Sequence, residues 1–143
     1  MLKGINPLLS PELLYVLAAM GHGDEIAVVD RNFPAASIGR KVVHLNGANV
    51  VETCRAIVGL LPVDTFVDPP IYRMQVVGDP DAIPDVQVEF LNACETLEAR
   101  SIAMGSLSRE EFYDRAKLAF AVVATSEQRP YGCFLLVKGV INA

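Results

Sequence analysis

The chain has 143 residues, enough to bury a hydrophobic core, and one domain over residues 1–143 is expected. Its net charge of −5, without any Lys/Arg cluster, argues against nucleic acid as a partner. No apolar run approaches the roughly 18 residues of a membrane span, and Pro7 and Pro11 interrupt the first segment before a signal-peptide core forms. We therefore expect a cytoplasmic protein that does not enter membranes.

The N-terminal region predicts a helix, a tight turn and a buried strand. Ser10-Pro11-Glu12 is typical of a helix start, because Ser caps the first turn and Pro is tolerated there. Gly21 and Gly23 are expected to close this helix in a left-handed conformation around His22. The apolar run 26–29 then predicts a strand whose carboxyl end carries Asp30.

Strands and helices continue to alternate through the rest of the chain. The expected elements are strand 42–45, helix 49–61, strand 71–77, helix 85–97, a weak strand 102–104, a helix from Ser108 through Phe120, and strands 121–125 and 133–137. The last two strands lie close enough in sequence to form an antiparallel pair. This alternation predicts a three-layer α/β/α fold with a mixed, mainly parallel sheet.

The densest polar cluster is the segment 21–25, with Asp30 one strand later. Histidine is the side chain whose ordinary pKa, about 6.5, suits proton transfer near neutrality, and a carboxylate at the end of the adjoining strand is expected to orient His22 or to bind substrate hydroxyls. The alternative is structural: His22 bonds its own turn while Asp24 and Asp30 cap neighbouring elements.

Three further residues lie at predicted element ends: Arg109, Tyr131 and Cys133. The period of two predicts that Tyr131 and Cys133 share one strand face. Each also has an ordinary structural explanation as a solvated first-turn residue, a strand-end aromatic and a buried thiol, respectively.

The remaining histidine and cysteines are expected to be structural, and several reaction classes lack their motifs. His44 is predicted to face outward from a strand, while Cys54 and Cys94 are predicted in the core. The spacing of His and Cys supports neither a metal site nor a disulfide framework. Phosphate loops, dinucleotide-binding glycines and a serine-nucleophile elbow are not found in the sequence, which argues against phosphoryl transfer, nicotinamide chemistry and serine hydrolysis.

Both ends of the chain resemble one known family. The segments MLKGINPLLSPELLYVLAAMGHGDEIAVVDRNFPA and FYDRAKLAFAVVATSEQRPYGCFLLVKGVI strongly resemble the ribose pyranase and fucose mutarotase family, whereas the middle, 42–101, agrees in pattern more than in residues. The resemblance implies a cofactor-free enzyme that opens and recloses a monosaccharide ring. It also implies a ring-shaped homo-oligomer, with a decamer as one expected size and sugar sites near subunit boundaries.

The resemblance also assigns residues. The family's acid/base histidine falls on His22, and its sugar-binding aspartate and tyrosine fall on Asp30 and Tyr131. Arg109 stands where the fucose branch has a sugar-site arginine, so that branch is favoured. The family's usual Tyr-x-Asn is here a Tyr-x-Cys that ends at Cys133, and a thiol is a weaker partner for a sugar hydroxyl than an amide.

The expected function is therefore α/β anomer interconversion of L-fucose or a related monosaccharide, without a metal or cofactor. Three alternatives stay open: a ribose pyranase, a non-catalytic sugar-binding or transport-accessory protein, and a structural assembly protein. The substitution at Cys133 leaves the preferred sugar undetermined from sequence.

Overall fold

The structure, a computed structural model, describes residues 2–143. The helices are α1 (Pro11–Ala19), α2 (Ala35–Ile38), α3 (Val50–Val58), α4 (Asp85–Glu98) and α5 (Arg109–Leu118). The strands are β1 (Glu25–Val29), β2 (Val42–Leu45), β3 (Ile71–Met74), β4 (Met104–Leu107), β5 (Ala121–Thr125) and β6 (Phe134–Val137). None of the helices within residues 2–143 has the length and apolar character needed to cross a bilayer.

The six strands form one sheet in the order β2-β5-β1-β6-β3-β4. All neighbours are parallel except β6, which runs antiparallel to both β1 and β3. In the middle of the sheet, Ala27 of β1 lies between Val122 of β5 and Leu135 of β6. The core of β1, residues 26–29, is fully buried because helices cover both faces of the sheet.

Helices pack on both faces of this sheet. On one face α1, α3 and α4 contribute Leu13, Ile57 and Phe90 to a core that includes Ile26 of β1. The ring of Phe90 stacks on that of Phe134, with centroids 3.7 Å apart. On the other face α2 and α5 form a second core around residues such as Phe112. The predicted three-layer α/β/α fold with a mainly parallel sheet is confirmed.

The prediction that the last two strands pair with each other is wrong. Strand β1 lies between β5 and β6 and is bonded to both. The connecting segment 126–133 is long enough to cross two strand spacings, roughly 10 Å, so proximity in sequence does not force a hairpin. All four residues of β6 are buried, which suits a central position rather than an edge.

The helix starts were predicted better than the ends. Ser10 accepts a hydrogen bond from the Leu13 N–H, and Ser108 forms a complete capping box with Glu111. The predicted helix 49–61 ends at Val58, however, and the predicted strand 71–77 ends at Met74, three residues before the turn at Val77. The weak strand 102–104 is replaced by β4, and the short α2 was not predicted.

Candidate functional site

His22 lies on a turn between α1 and the amino end of β1. The Gly21 N–H donates to Asp24 Oδ2 at 2.7 Å, and the Gly23 N–H donates to the Lys138 carbonyl at 2.9 Å. Of the two glycines only Gly23 is left-handed, with φ +85°, because the helix has already ended in the extended residue Met20. The turn is therefore fixed from both sides, as expected for a residue that must hold one orientation.

A buried carboxylate orients the His22 ring. His22 Nε2 lies 3.0 Å from Asp64 Oδ1, with the Asp64 side chain 1% exposed and that of His22 43% exposed. The Asp64 backbone N–H in turn donates to the Val137 carbonyl of β6. The ring of Phe66 packs on the imidazole, with centroids 4.8 Å apart. Of the two roles expected for the carboxylate at the end of β1, orienting His22 is wrong, since Asp64 does so, and binding substrate hydroxyls stays a prediction.

The environment of Asp64 keeps its carboxyl group ionised. Burial alone would raise its pKa, but hydrogen bonds from the Phe66 backbone, the His22 ring and the Val67 backbone together hold the pKa below the ordinary value of 3.8. In the neutral His22 tautomer that carries its hydrogen on Nε2, the ring donates that hydrogen to the ionised Asp64. The other ring nitrogen, Nδ1, then carries the lone pair that can take a proton.

Acid denaturation should report this ionised state of Asp64. Because the folded pKa is depressed, the contribution of Asp64 to stability is present above about pH 4 and is lost as the pH falls through the folded pKa. We expect Asp64→Asn to lower the melting temperature most near neutral pH, and the difference from wild type to shrink in acid. Calorimetry from neutral to acidic pH measures this, with Asp81→Asn at an exposed carboxylate as the control. A difference that stays constant with pH contradicts the assignment.

A second feature lies at the carboxyl edge of the sheet, the side on which the parallel strands end. A cavity of about 190 Å³ opens there. Its lining consists of Asp30, Asn32, Phe33, Met74, Arg109, Tyr113, Pro130, Tyr131 and Cys133. Because β6 runs against β1 and β3, the residues before its start meet the residues that follow those two strands. Arg109 follows β4, which is parallel to β3, so four sequence-predicted site residues, those at positions 30, 109, 131 and 133, are brought together here.

Asp30 and Cys133 form the buried floor of this cavity. Asp30 Oδ1 accepts the backbone N–H groups of Asn32 and Phe33 at 2.9 and 3.1 Å, so one carboxylate oxygen is used to hold the loop. Burial, together with the negative charge of Asp30, raises the pKa of the Cys133 thiol well above its ordinary value of 9.0. The thiol therefore stays protonated, which suits a neutral contact and not a nucleophile.

Tyr131 and Arg109 form the rim. Tyr131 has a left-handed backbone, with φ +63°, so the strand period that predicted a shared face with Cys133 does not apply there, although both residues line the cavity. The Tyr131 hydroxyl accepts a hydrogen bond from the Val77 N–H at 3.2 Å. Arg109, in the first turn of α5, is 52% exposed and pairs with Glu110, with Nη2 3.4 Å from Oε1.

The structure does not bring His22 to this cavity. His22 precedes β1 and Asp30 follows it, so the five residues of β1, roughly 16 Å of strand, lie between them. Sequence reasoning also missed Asp64. The signal that pointed to it was a carboxylate directly after the apolar segment 60–63.

The other predictions for single residues are settled by burial. Cys54 and Cys94 are buried in the core between α3 and α4, with sulfurs 3.1 Å apart, as predicted. His44 is exposed on β2, also as predicted.

Fold and site together define an α/β protein with a small cavity of mixed polar and apolar lining at the carboxyl edge of its sheet and a His–Asp pair at the opposite edge. Residues 3–141 match the RbsD / FucU transport protein family, and the chain belongs to that family. The predicted family resemblance is confirmed.

Individual relatives cover almost the whole chain. An L-fucose mutarotase of Haemophilus influenzae is 44% identical over 140 residues, which is 98% of this chain and 97% of the relative. The fucose mutarotase of Streptococcus pneumoniae, solved in complex with L-fucose, is 40% identical with TM-score 0.92, covering 99% of this chain and 100% of that one. Bacillus subtilis RbsD complexed with D-ribose is less similar, at 25% identity and TM-score 0.76, covering 99% and 100%.

Proposed function

We propose that residues 1–143 act as one cytoplasmic mutarotase domain that interconverts the α and β anomers of L-fucose or a closely related monosaccharide. The observation that carries this proposal is the 3.0 Å contact between His22 and the buried Asp64, which equips a half-exposed imidazole for proton transfer. The similarity to L-fucose mutarotases over 98% of the chain supports the choice of sugar.

The reaction needs only proton movements. A base removes the proton of the anomeric hydroxyl, the bond between the anomeric carbon and the ring oxygen breaks, and the ring oxygen takes up a proton. The resulting free aldehyde rotates and recloses on either face, so no electrons leave the sugar. His22 Nδ1 takes and returns the proton while Asp64 holds Nε2–H, which fixes both the tautomer and the ring orientation.

The cavity at the carboxyl edge would hold the sugar. Asp30 offers its second carboxylate oxygen as an acceptor for sugar hydroxyls, and Tyr131 offers a hydroxyl and an aromatic face. Arg109 donates from the rim. Cys133 presents a protonated, weakly polar thiol, which favours a less polar part of the ligand over a hydroxyl at that point.

The separation of His22 from this cavity supports a homo-oligomer in which His22 of one copy approaches the cavity of a neighbour. The end of the molecule that carries His22 is apolar enough for such a contact: Phe66, against the imidazole, is 72% exposed, and Ile141, beyond β6, is 80% exposed. A closed ring satisfies this head-to-tail geometry, and a decamer is the size that we propose.

Measurement of anomer exchange by saturation-transfer NMR tests the proposal. With L-fucose, D-ribose and D-galactose side by side, we expect the protein to accelerate α/β exchange most for L-fucose. Acceleration of ribose ring interconversion alone favours the ribose pyranase alternative, for which the more distant similarity to RbsD is the supporting observation. Saturable binding without any acceleration favours a sugar-binding or transport-accessory protein, and no binding of any sugar favours a structural one.

A further inference from the structure

Two buried polar side chains beside the cavity have no part in the mechanism above. Arg73 of β3 is 6% exposed, and Gln87 in the first turn of α4 is completely buried. Arg73 Nη1 donates to Gln87 Oε1 at 3.3 Å and to the Ala82 carbonyl at 3.1 Å, while Nη2 donates to the Pro80 carbonyl at 3.1 Å. Within residues 2–143 no carboxylate lies at ion-pair distance from Arg73.

This contact fixes the direction of the Gln87 amide. A guanidinium can only donate hydrogen bonds, so the oxygen of Gln87 must face Arg73 and its NH₂ group must point the other way. That group donates to the carbonyls of Met74 and Tyr131, at 2.8 and 3.0 Å. Both acceptors belong to residues that line the sugar cavity.

The Tyr131 carbonyl belongs to a residue with an unfavourable backbone conformation. Tyr131 is one of only two non-glycine residues with positive φ among residues 2–143, a conformation that L-residues other than Asn and Asp adopt reluctantly. The next residue, Gly132, is closely packed, since an added Cβ would lie 3.0 Å from Glu127 Cγ, tighter than most Cβ contacts. The segment that carries Tyr131 and Cys133 is therefore held in one tight conformation, and Gln87 supplies a buried bond to it.

We infer that Gln87, oriented by Arg73, is a positioning residue for sugar binding that sets the Tyr131 side of the cavity. This inference rests on the proposed function, because it takes that cavity as the sugar site. The adjacent guanidinium polarises the Gln87 amide and strengthens its N–H donors toward the two carbonyls. Gln87 bonds Arg73 and two backbone carbonyls of the cavity and has no hydrogen bond to His22 or Asp64, so it governs affinity for the sugar and not the proton transfer.

Gln87→Glu and Gln87→Met test this inference. The glutamate keeps the size of the side chain and the contact with Arg73, which protects the fold, but an ionised carboxylate has no donor for the two carbonyls. The methionine removes all three hydrogen bonds, the one from Arg73 and the two to the carbonyls. We expect each variant to raise the Kd for L-fucose about tenfold, equivalent to about 1.4 kcal/mol, and to raise KM to the same extent while kcat at saturation stays within about twofold.

The matched control is Thr53→Val on α3, which also removes a hydrogen bond from a fully buried side chain, here to the Asn49 carbonyl, but does not touch the cavity. Calorimetric titration with L-fucose gives the Kd and the number of sites for every variant. If Gln87 is merely structural, its variants will behave like Thr53→Val, with fewer sites or a lower melting temperature but an unchanged Kd for the folded fraction. That result overturns the inference alone. Failure of the wild type itself to bind L-fucose overturns the proposed function and the inference with it.

Discussion

His22→Gln is expected to slow the protein-dependent exchange of L-fucose anomers by about 10²- to 10⁴-fold, the usual contribution of a positioned acid/base group. Glutamine fills a similar volume and can still hydrogen-bond Asp64, so the turn should persist. It has no group that takes and returns a proton near neutrality. Saturation-transfer NMR over a range of protein concentrations measures the loss directly.

The chain provides its own control for this experiment. His44 is the only other histidine and is exposed on β2, so His44→Gln should leave the exchange rate unchanged. Binding of L-fucose to His22→Gln should remain measurable, because the cavity at the carboxyl edge is intact. Wild-type exchange in His22→Gln would exclude His22 as the proton-transfer group and leave the His–Asp pair with a structural role only.

Activity should return when two inactive variants are combined in one oligomer. Asp30→Asn keeps the side-chain oxygen that accepts from Asn32 and Phe33, so its loop should fold, but it removes the charge that we propose binds the sugar. If each site takes His22 from one copy and Asp30 from its neighbour, mixed rings of Asp30→Asn and His22→Gln contain sites with both residues intact. In a random one-to-one mixture, roughly a quarter of the sites are restored.

Co-expression of the two variants with different affinity tags, followed by two-step purification, isolates the mixed oligomers for the exchange assay. The control is a mixture of the two separately folded variants, whose subunits do not exchange. It should show only the residual rates of the parent variants. Mixed oligomers that exchange no faster than the average of their parents contradict a shared site. That outcome would require His22 to act away from the cavity, or the sugar to bind at the His22 end of a single copy.

The local elements of the fold follow closely from the sequence because their signals lie within a few residues of one another. The caps at Ser10 and Ser108 place two helix starts, since a serine oxygen and the backbone N–H that it accepts are only three residues apart. The apolar run 26–29 likewise predicts a strand buried on both faces, and the structure places it near the centre of the sheet. The parallel arrangement follows from the helices between strands.

The order of the strands does not follow from such local signals. Strands β5 and β6 are near in sequence, and no residue pattern within them predicts that β1 lies between them. Their separation depends on pairings between distant segments, such as Val28 with Phe134, whose stability comes from completing a sheet covered on both faces. Only the assembled tertiary structure determines that order.

The candidate site divides in the same way. The sequence by itself determined the histidine on its glycine turn and, through resemblance, the set Asp30, Arg109, Tyr131 and Cys133, because residue type and position relative to element ends are local properties. The tertiary structure alone decided that Asp64 orients His22 across 42 residues of sequence and that Gln87 holds the Tyr131 carbonyl across 44. It also decided that the length of β1 separates His22 from the cavity, since the other four residues lie at the opposite end of the strands: Asp30 and Arg109 follow β1 and β4, and Tyr131 and Cys133 precede the antiparallel β6.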